Sequence, residues 1–311
     1  MAARLRRLAI FTALVAVMLL AVALLSFSYM DIGIADIVGA GELILATYDL
    51  STVPDSVAAD AVSLGKELFG DSRDRYEDFA DQLVASYLEV QDKDIMVVFN
   101  SGGWGWNLPE DSPGWGSILD GIKSELDSMG YNSVVLNYRR TSDTVRGVLK
   151  EFGEAATHYP SKAKDLACRV DFLTAHVPHL QVIVAGESNG SVVSDEAMAI
   201  LEDNPQVYSI QTGTPFWYRS MPRERTLVLN DNGVVPDTFS HLDVGAILSA
   251  SFKSMLGLSS DEIPSGTILE HIKAPGHDYS WHYANVCRQI TRFLDENFNI
   301  KQQEIIDYRG S

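Results

Sequence analysis

Five short apolar runs mark the middle and second half of the chain, at 95–99, 133–137, 182–185, 207–210 and 226–230. Between them apolar residues recur every three or four positions, as at Ile118, Ile122, Leu126 and Met129 before a stop at Gly130. Further helical stretches cover 142–177 (interrupted near Tyr159-Pro160), 191–203 and 282–297. Runs of four or five apolar residues alternating with helices predict a mostly parallel sheet with helices on both faces. Upstream, Phe79, Leu83, Val84, Tyr87 and Leu88 predict helix within 55–90, split by Gly70-Asp71-Ser72. Residues 31–54, with Gly33, Gly39, Gly41 and Pro54, read as a linker with one short strand at 43–47.

The first thirty residues have no such alternation. Arg4, Arg6 and Arg7 precede an apolar stretch over 8–30, broken early only by Thr12. As a helix it reaches roughly 35 Å at about 1.5 Å per residue, enough to span a hydrocarbon core of about 30 Å. The next basic residue is Lys66, so the positive-inside rule predicts a cytoplasmic tip and an extracytoplasmic remainder. Ala21-Val22-Ala23 also fits a signal-peptidase site, but one lying inside the apolar run, so length favours an uncleaved anchor. Cleaved, the domain is secreted. Either way it lies outside the cytoplasm.

Composition narrows the partners. Lys and Arg number 24 against 42 Asp and Glu in 311 residues, a net charge of −18. All three basic residues of the first thirty fall outside the remaining domain, which therefore carries −21. Such a domain is a poor ligand for phosphate backbones, so no nucleic acid partner is expected, and it is repelled by anionic headgroups. Cys168 and Cys287 are too few and too far apart for a disulfide scaffold or a zinc knuckle. His271, His277 and His282 match no metal-ligand spacing, so neither metal nor cofactor is expected.

In parallel sheets the chemistry lies beyond the carboxyl ends of the strands. After the third run stands Gly186-Glu187-Ser188-Asn189-Gly190, with a strand leading in and a helix leading out. Small neighbours allow a serine to sit on a strained strand-to-helix turn as a nucleophile. The other reading is a glycine-rich helix start that Ser188 merely caps. After the first run stands Asn100-Ser101-Gly102-Gly103-Trp104-Gly105-Trp106. An oxyanion hole needs one amide beside the nucleophile and one from another loop; Asn189 and either Gly103 or Trp104 would supply them. After the fifth run comes Asp231-Asn232-Gly233-Val234-Val235-Pro236-Asp237, either an acid that orients a histidine or a plain turn. Gly276-His277-Asp278 precedes the last helix, and a loop histidine there could serve as general base and acid.

Together these residues resemble the α/β-hydrolase family of serine hydrolases over roughly 93–298. The order Ser188, Asp231, His277 is that family's order of nucleophile, acid and histidine. The resemblance implies a reduced α/β-hydrolase fold, with acyl transfer to water through an acyl-serine. It departs from the family's usual acid turn, because Asn232 stands where the acid is expected. Asp231, which ends the strand, is the preferred acid and Asp237 the alternate. The stretch 211–225 is too short for a large cap. Residues 238–265 hold an apolar segment, 244–258, readable as a partial lid or as a packed helix. The layout also puts Cys168 and Cys287 on opposite faces of the sheet, as free buried thiols.

The division expected is therefore a cytoplasmic tip and anchor over 1–30, a membrane-proximal linker with helices over 31–92, and a catalytic domain over 93–311. The leading expectation is a membrane-anchored esterase or lipase acting on a small-molecule or lipid ester. Trp106 and Trp217 are candidates to receive an apolar acyl group. Peptidase and acyltransferase chemistry use the same residues. The alternative, from another class, is a non-catalytic binding domain tethered to the membrane on a hydrolase scaffold.

Overall fold

The computed structural model describes residues 41–46, 48–141, 151, 153–258, 265–269 and 272–299. The strands are β1 (Glu42–Ile44), β2 (Ile95–Asn100), β3 (Ser133–Arg139), β4 (Gln181–Glu187), β5 (Val207–Thr212) and β6 (Thr226–Leu229). They form one sheet in the order β1-β3-β2-β4-β5-β6. Strands β2 to β6 run parallel to their neighbours. β1 closes one edge antiparallel to β3, with Glu42 opposite Arg139. The helices are α1 (Asp55–Phe69), α2 (Arg73–Val90), α3 (Pro113–Ser128), α4 (Pro160–His176), α5 (Asn189–Ile200), α6 (Val244–Met255) and α7 (Ala284–Phe298). β7 (Ser265–Leu269) and β8 (Ile272–Pro275) form a separate antiparallel hairpin.

Strand periodicity splits the core in two. Ile95, Val97 and Phe99 of β2 pack with Trp115, Ile118 and Ile122 of α3 and with Val286 and Ile290 of α7. Met96 and Val98, on the other face, pack with residues of α1, α2, α4 and α5, including Ala61, Leu83, Leu166 and Val193. Because side chains alternate along a strand, a continuous apolar run feeds both layers. All five apolar runs of the sequence are strands of this sheet.

Three features differ from the sequence reading. The short strand expected at 43–47 forms as β1, but the stretch around it is not a linker: with α1 and α2 it shares one core with the sheet. The hairpin β7–β8 was not expected: Ile272-Lys273-Ala274-Pro275 ends in a proline, which only an edge strand tolerates. Cys168 and Cys287 are free and lie on helices of opposite faces, but both are half-buried. The expected membrane anchor at 1–30 lies outside the described residues. Among the described residues no helix is long and apolar enough to cross a membrane.

Candidate active site

The turn after β4 is tight because its glycines leave no alternative. A Cβ on Gly190 would lie 2.1 Å from the Asn100 carbonyl oxygen, and one on Gly186 would lie 2.6 Å from the Gly190 oxygen. β4 therefore passes into α5 in direct backbone contact with the end of β2. Ser188 sits between them at φ 50 and ψ −118, a conformation that costs an L-residue on the order of 1–3 kcal/mol. Its N–H donates to the Thr212 carbonyl at 2.9 Å, and its own carbonyl accepts from Ser191, by the N–H at 2.9 Å and by the Oγ at 2.6 Å. The side chain of Ser188 makes no capping bond to α5. The fold thus holds the strained backbone without using the hydroxyl.

His277 comes from the loop between β8 and α7. Its ring lies against Gly213, where a Cβ would fall 2.8 Å from the ring Cε1. Gly213 directly follows Thr212, the residue that holds the Ser188 amide. His277 Nδ1 is 2.8 Å from Asp237 Oδ2. Asp237 is fully buried and saturated with donors. The Phe239 and Ser240 amides donate to Oδ1 at 2.9 and 3.0 Å, and the Tyr279 hydroxyl donates to Oδ2 at 2.8 Å. Burial alone would raise this carboxyl. His277, the Ser240 amide and the Tyr279 hydroxyl outweigh it and hold the group below its ordinary value. The Tyr279 hydroxyl is pushed well up, by burial first and then by Asp237, and so stays a donor.

The carboxylate that reaches His277 is thus Asp237 and not Asp231. Asp231 Oδ1 accepts the Gly233 N–H at 2.6 Å and shapes the turn instead. Asn232 is buried and equally committed: its Oδ1 accepts from Val234 and Val235, and its Nδ2 donates to the Asp278 carbonyl at 3.0 Å. The chain has to pass through this turn before it can come under the histidine. Thr238 then clasps the two loops, donating to the Pro275 carbonyl through its N–H at 3.0 Å and its hydroxyl at 2.8 Å.

The Gly-rich loop after β2 meets the same turn. Gly103 has φ +55, and its carbonyl accepts from Asn189 Nδ2 at 3.1 Å. The Gly102 N–H is engaged, donating to Glu187 Oε2 at 3.2 Å. Burial raises that glutamate's carboxyl above its ordinary value. A residue missed in the sequence fixes the loop from beneath. The buried Arg140 guanidinium donates to the Ser101 carbonyl at 2.5 Å and to the Gly103 carbonyl at 3.3 Å, and pairs with buried Glu151 at 3.0 Å. Its backbone N–H donates to the Gly105 carbonyl at 2.8 Å. The signal available was one arginine directly at a strand end.

The aromatic candidates divide. Trp104 and Trp106 stack on each other, with ring centres 6.1 Å apart. Trp217 stacks on His158 and packs against the core layer of α4 and α5. The neighbouring aromatics that adjoin the histidine are others. Phe239 meets the His277 ring edge-on at 4.9 Å, and exposed Phe216 meets Phe239 at 5.7 Å. Among the described residues no group of three His, Cys, Asp or Glu side chains is placed to hold a metal ion.

The arrangement is a serine on a strained turn at the end of a central strand, with a carboxylate-bound histidine on the adjoining loop. The mostly parallel sheet and its two helical layers are consistent with an α/β-hydrolase fold. No family model matches the chain, and no curated protein matches it. Among solved structures, one that is similar is a Trichoderma reesei cutinase in complex with a C11Y4 phosphonate inhibitor. It is 16% identical with a TM-score of 0.35, over 59% of this chain and 80% of that chain.

Proposed function

We propose that the protein is a serine hydrolase of carboxylic esters, working through an acyl-serine intermediate. The observation that carries this reading is a histidine, seated against Gly213 beside the strained Ser188 turn, whose Nδ1 is held by a buried carboxylate. Ionised Asp237 fixes the proton of His277 on Nδ1, which leaves Nε2 as the base. Nε2 takes the Ser188 hydroxyl proton as Oγ attacks the ester carbonyl. The tetrahedral oxyanion forms against the Asn189 N–H and an amide of Gly103 or Trp104. Asn189 opens α5, where backbone amides lack intrahelical acceptors and the helix dipole favours negative charge. The imidazolium then gives its proton to the departing alkoxide. Water, activated by the same Nε2, attacks the acyl carbon, and collapse returns the proton to Ser188.

The finer reading adds a membrane anchor at residues 8–30 with the domain on the extracytoplasmic side, supported by the length of that apolar stretch and the arginines before it. The non-catalytic alternative drew its support from Asn232 at the expected acid position. Asp237 supplies a carboxylate at the histidine and removes that support.

The test is hydrolysis of p-nitrophenyl esters, acetate through palmitate, by the protein and its Ser188→Ala variant. The expected result is turnover that the variant lacks, with the preferred chain length distinguishing esterase from lipase. A folded protein that turns over none of them and takes up no fluorophosphonate would leave the binding-domain reading.

A further inference from the structure

Helix α6 is amphipathic in the reverse sense. The side it lays on β8 carries mostly small residues, Ala246, Ala250, Ser251 and Ser254, with Ile247 among them, all half-buried, and Ser251 Oγ accepts from the Lys273 N–H at 3.0 Å. Three other large apolar side chains point away. Val244, Leu248 and Phe252 recur at four-residue spacing, on one face, and Phe252 is 63% exposed. Exposed Leu242 precedes the helix, and exposed Leu256 and Leu258 follow it. A water-facing helix ordinarily turns this face to the core. A contiguous exposed apolar surface marks a contact with something else.

The ridge continues the candidate active site. It begins a few residues after Asp237, and α6 packs along the strand that delivers His277. Phe239, between them, touches the histidine ring. Within 242–258 the only charged residues are Asp243 and Lys253, in a domain otherwise strongly acidic. A protein partner recognised through opposite charge has little to hold there.

The entry of the chain identifies the occupant. β1 is antiparallel, and Glu42 pairs with Arg139, the last residue of β3. Residue 41 therefore lies at the carboxyl edge of the parallel strands, the edge that carries Ser188. The apolar stretch 8–30 joins it through residues 31–40, which extend at most about 35 Å. The sheet's opposite edges are five strand spacings apart, roughly 24 Å. A bilayer holding residues 8–30 is thus within reach of the α6 ridge.

We infer that the exposed face of α6, with Leu242 and Leu256, rests on an electrically neutral lipid bilayer and places the candidate active site against that surface. Its substrate is then a lipid-borne ester. This deepens the proposed function and depends on it for the substrate, but the contact with lipid can be tested apart from activity.

The full-length protein is reconstituted into phosphatidylcholine vesicles with an environment-sensitive NBD label on Phe252→Cys, in a Cys168→Ser, Cys287→Ser background. A second preparation carries the label on Leu248→Cys, so that a folding defect at one position leaves the other. A third carries it on Ser128→Cys, at the far edge of the sheet. The expected result at 248 and 252 is a blue-shifted label quenched by doxyl groups on lipid acyl chains and protected from aqueous iodide, with the reverse at 128. Iodide quenching equal to that at 128 would overturn the inference. So would protection without doxyl quenching: if it fades on dilution in lipid a second copy covers the ridge, and if it persists the chain covers its own ridge. In Leu248→Ser/Phe252→Ser, hydrolysis of a vesicle-borne ester relative to a water-soluble one is expected to fall about tenfold. An unchanged ratio would refute the lipid-borne substrate. Absence of turnover on both esters would reject the enzyme reading and leave the label results to decide the contact.

Discussion

Two helices of twelve residues flank the candidate active site and spend their apolar residues in opposite ways. In α5, Val192, Val193, Ala197 and Met198 are buried in the core layer, and the helix holds Ser188 at its start. In α6 Val244, Leu248 and Phe252 face outward, and the side held on β8 is mostly small, with Ile247 among Ala246, Ala250, Ser251 and Ser254. The fold requires the first set and has no internal use for the second. Average hydrophobicity does not separate a core helix from one with an exposed apolar face; which face the neighbouring element covers does.

The comparison can be broken most forcefully at the two ends that meet in the site. Ser188→Ala at the head of α5 is expected to lower kcat about 10⁵-fold with the fold intact, checked by ester hydrolysis beside circular dichroism. On the α6 side, Asp237→Asn is expected to lower kcat about 10⁴-fold, because His277 then favours the wrong tautomer. Asp231→Asn, which leaves the histidine's partner in place, is expected to change kcat by less than about threefold. Equal losses in the two aspartate variants would mean that the turn acts as a unit and not through one carboxylate.

A smaller effect separates the helices by stability. Val193→Ala opens space in the buried face of α5 and is expected to cost about 2 kcal/mol, measured by urea denaturation. Asp237 sharpens the matter through pH. Its carboxyl is held below the ordinary value in the fold. Its contribution to stability is therefore complete above the unfolded value of about 3.9 and is lost as pH falls through the lower folded value. Asp237→Asn should flatten the melting temperature below pH 4, where the parent protein declines. The smallest effect is expected at the ridge. Phe252→Ser should change the unfolding free energy of the protein in detergent by less than about 0.5 kcal/mol, since no core contact is lost.

The sheet was legible in the sequence because its central strands β2, β4 and β5 are buried on both faces, and such strands carry apolar runs. The edge strand β1 was expected at 43–47, whereas the β7–β8 hairpin was not, being two short strands with little apolar signal. Ser188 stood out because the glycines its turn requires form a pattern in sequence. The partner of His277 was misassigned because the choice between Asp231 and Asp237 depends on how a seven-residue turn folds back. In that turn Asp231 and Asn232 cap backbone amides, which residue type alone does not reveal. Arg140 acts on the site from the end of β3 and Tyr279 from the His277 loop itself, and residue type alone announces neither role. The apolar stretch at 244–258 was visible, but its outward orientation depends on which face β8 covers.

The most direct test of the central claim is the site of covalent capture. The protein is treated with a fluorophosphonate and the adduct located by peptide mass spectrometry, alongside His277→Ala. The account predicts one stoichiometric adduct, on Ser188, that forms at least about a hundredfold more slowly without the His277 imidazole. An adduct on another serine, or none on a folded protein, would contradict it.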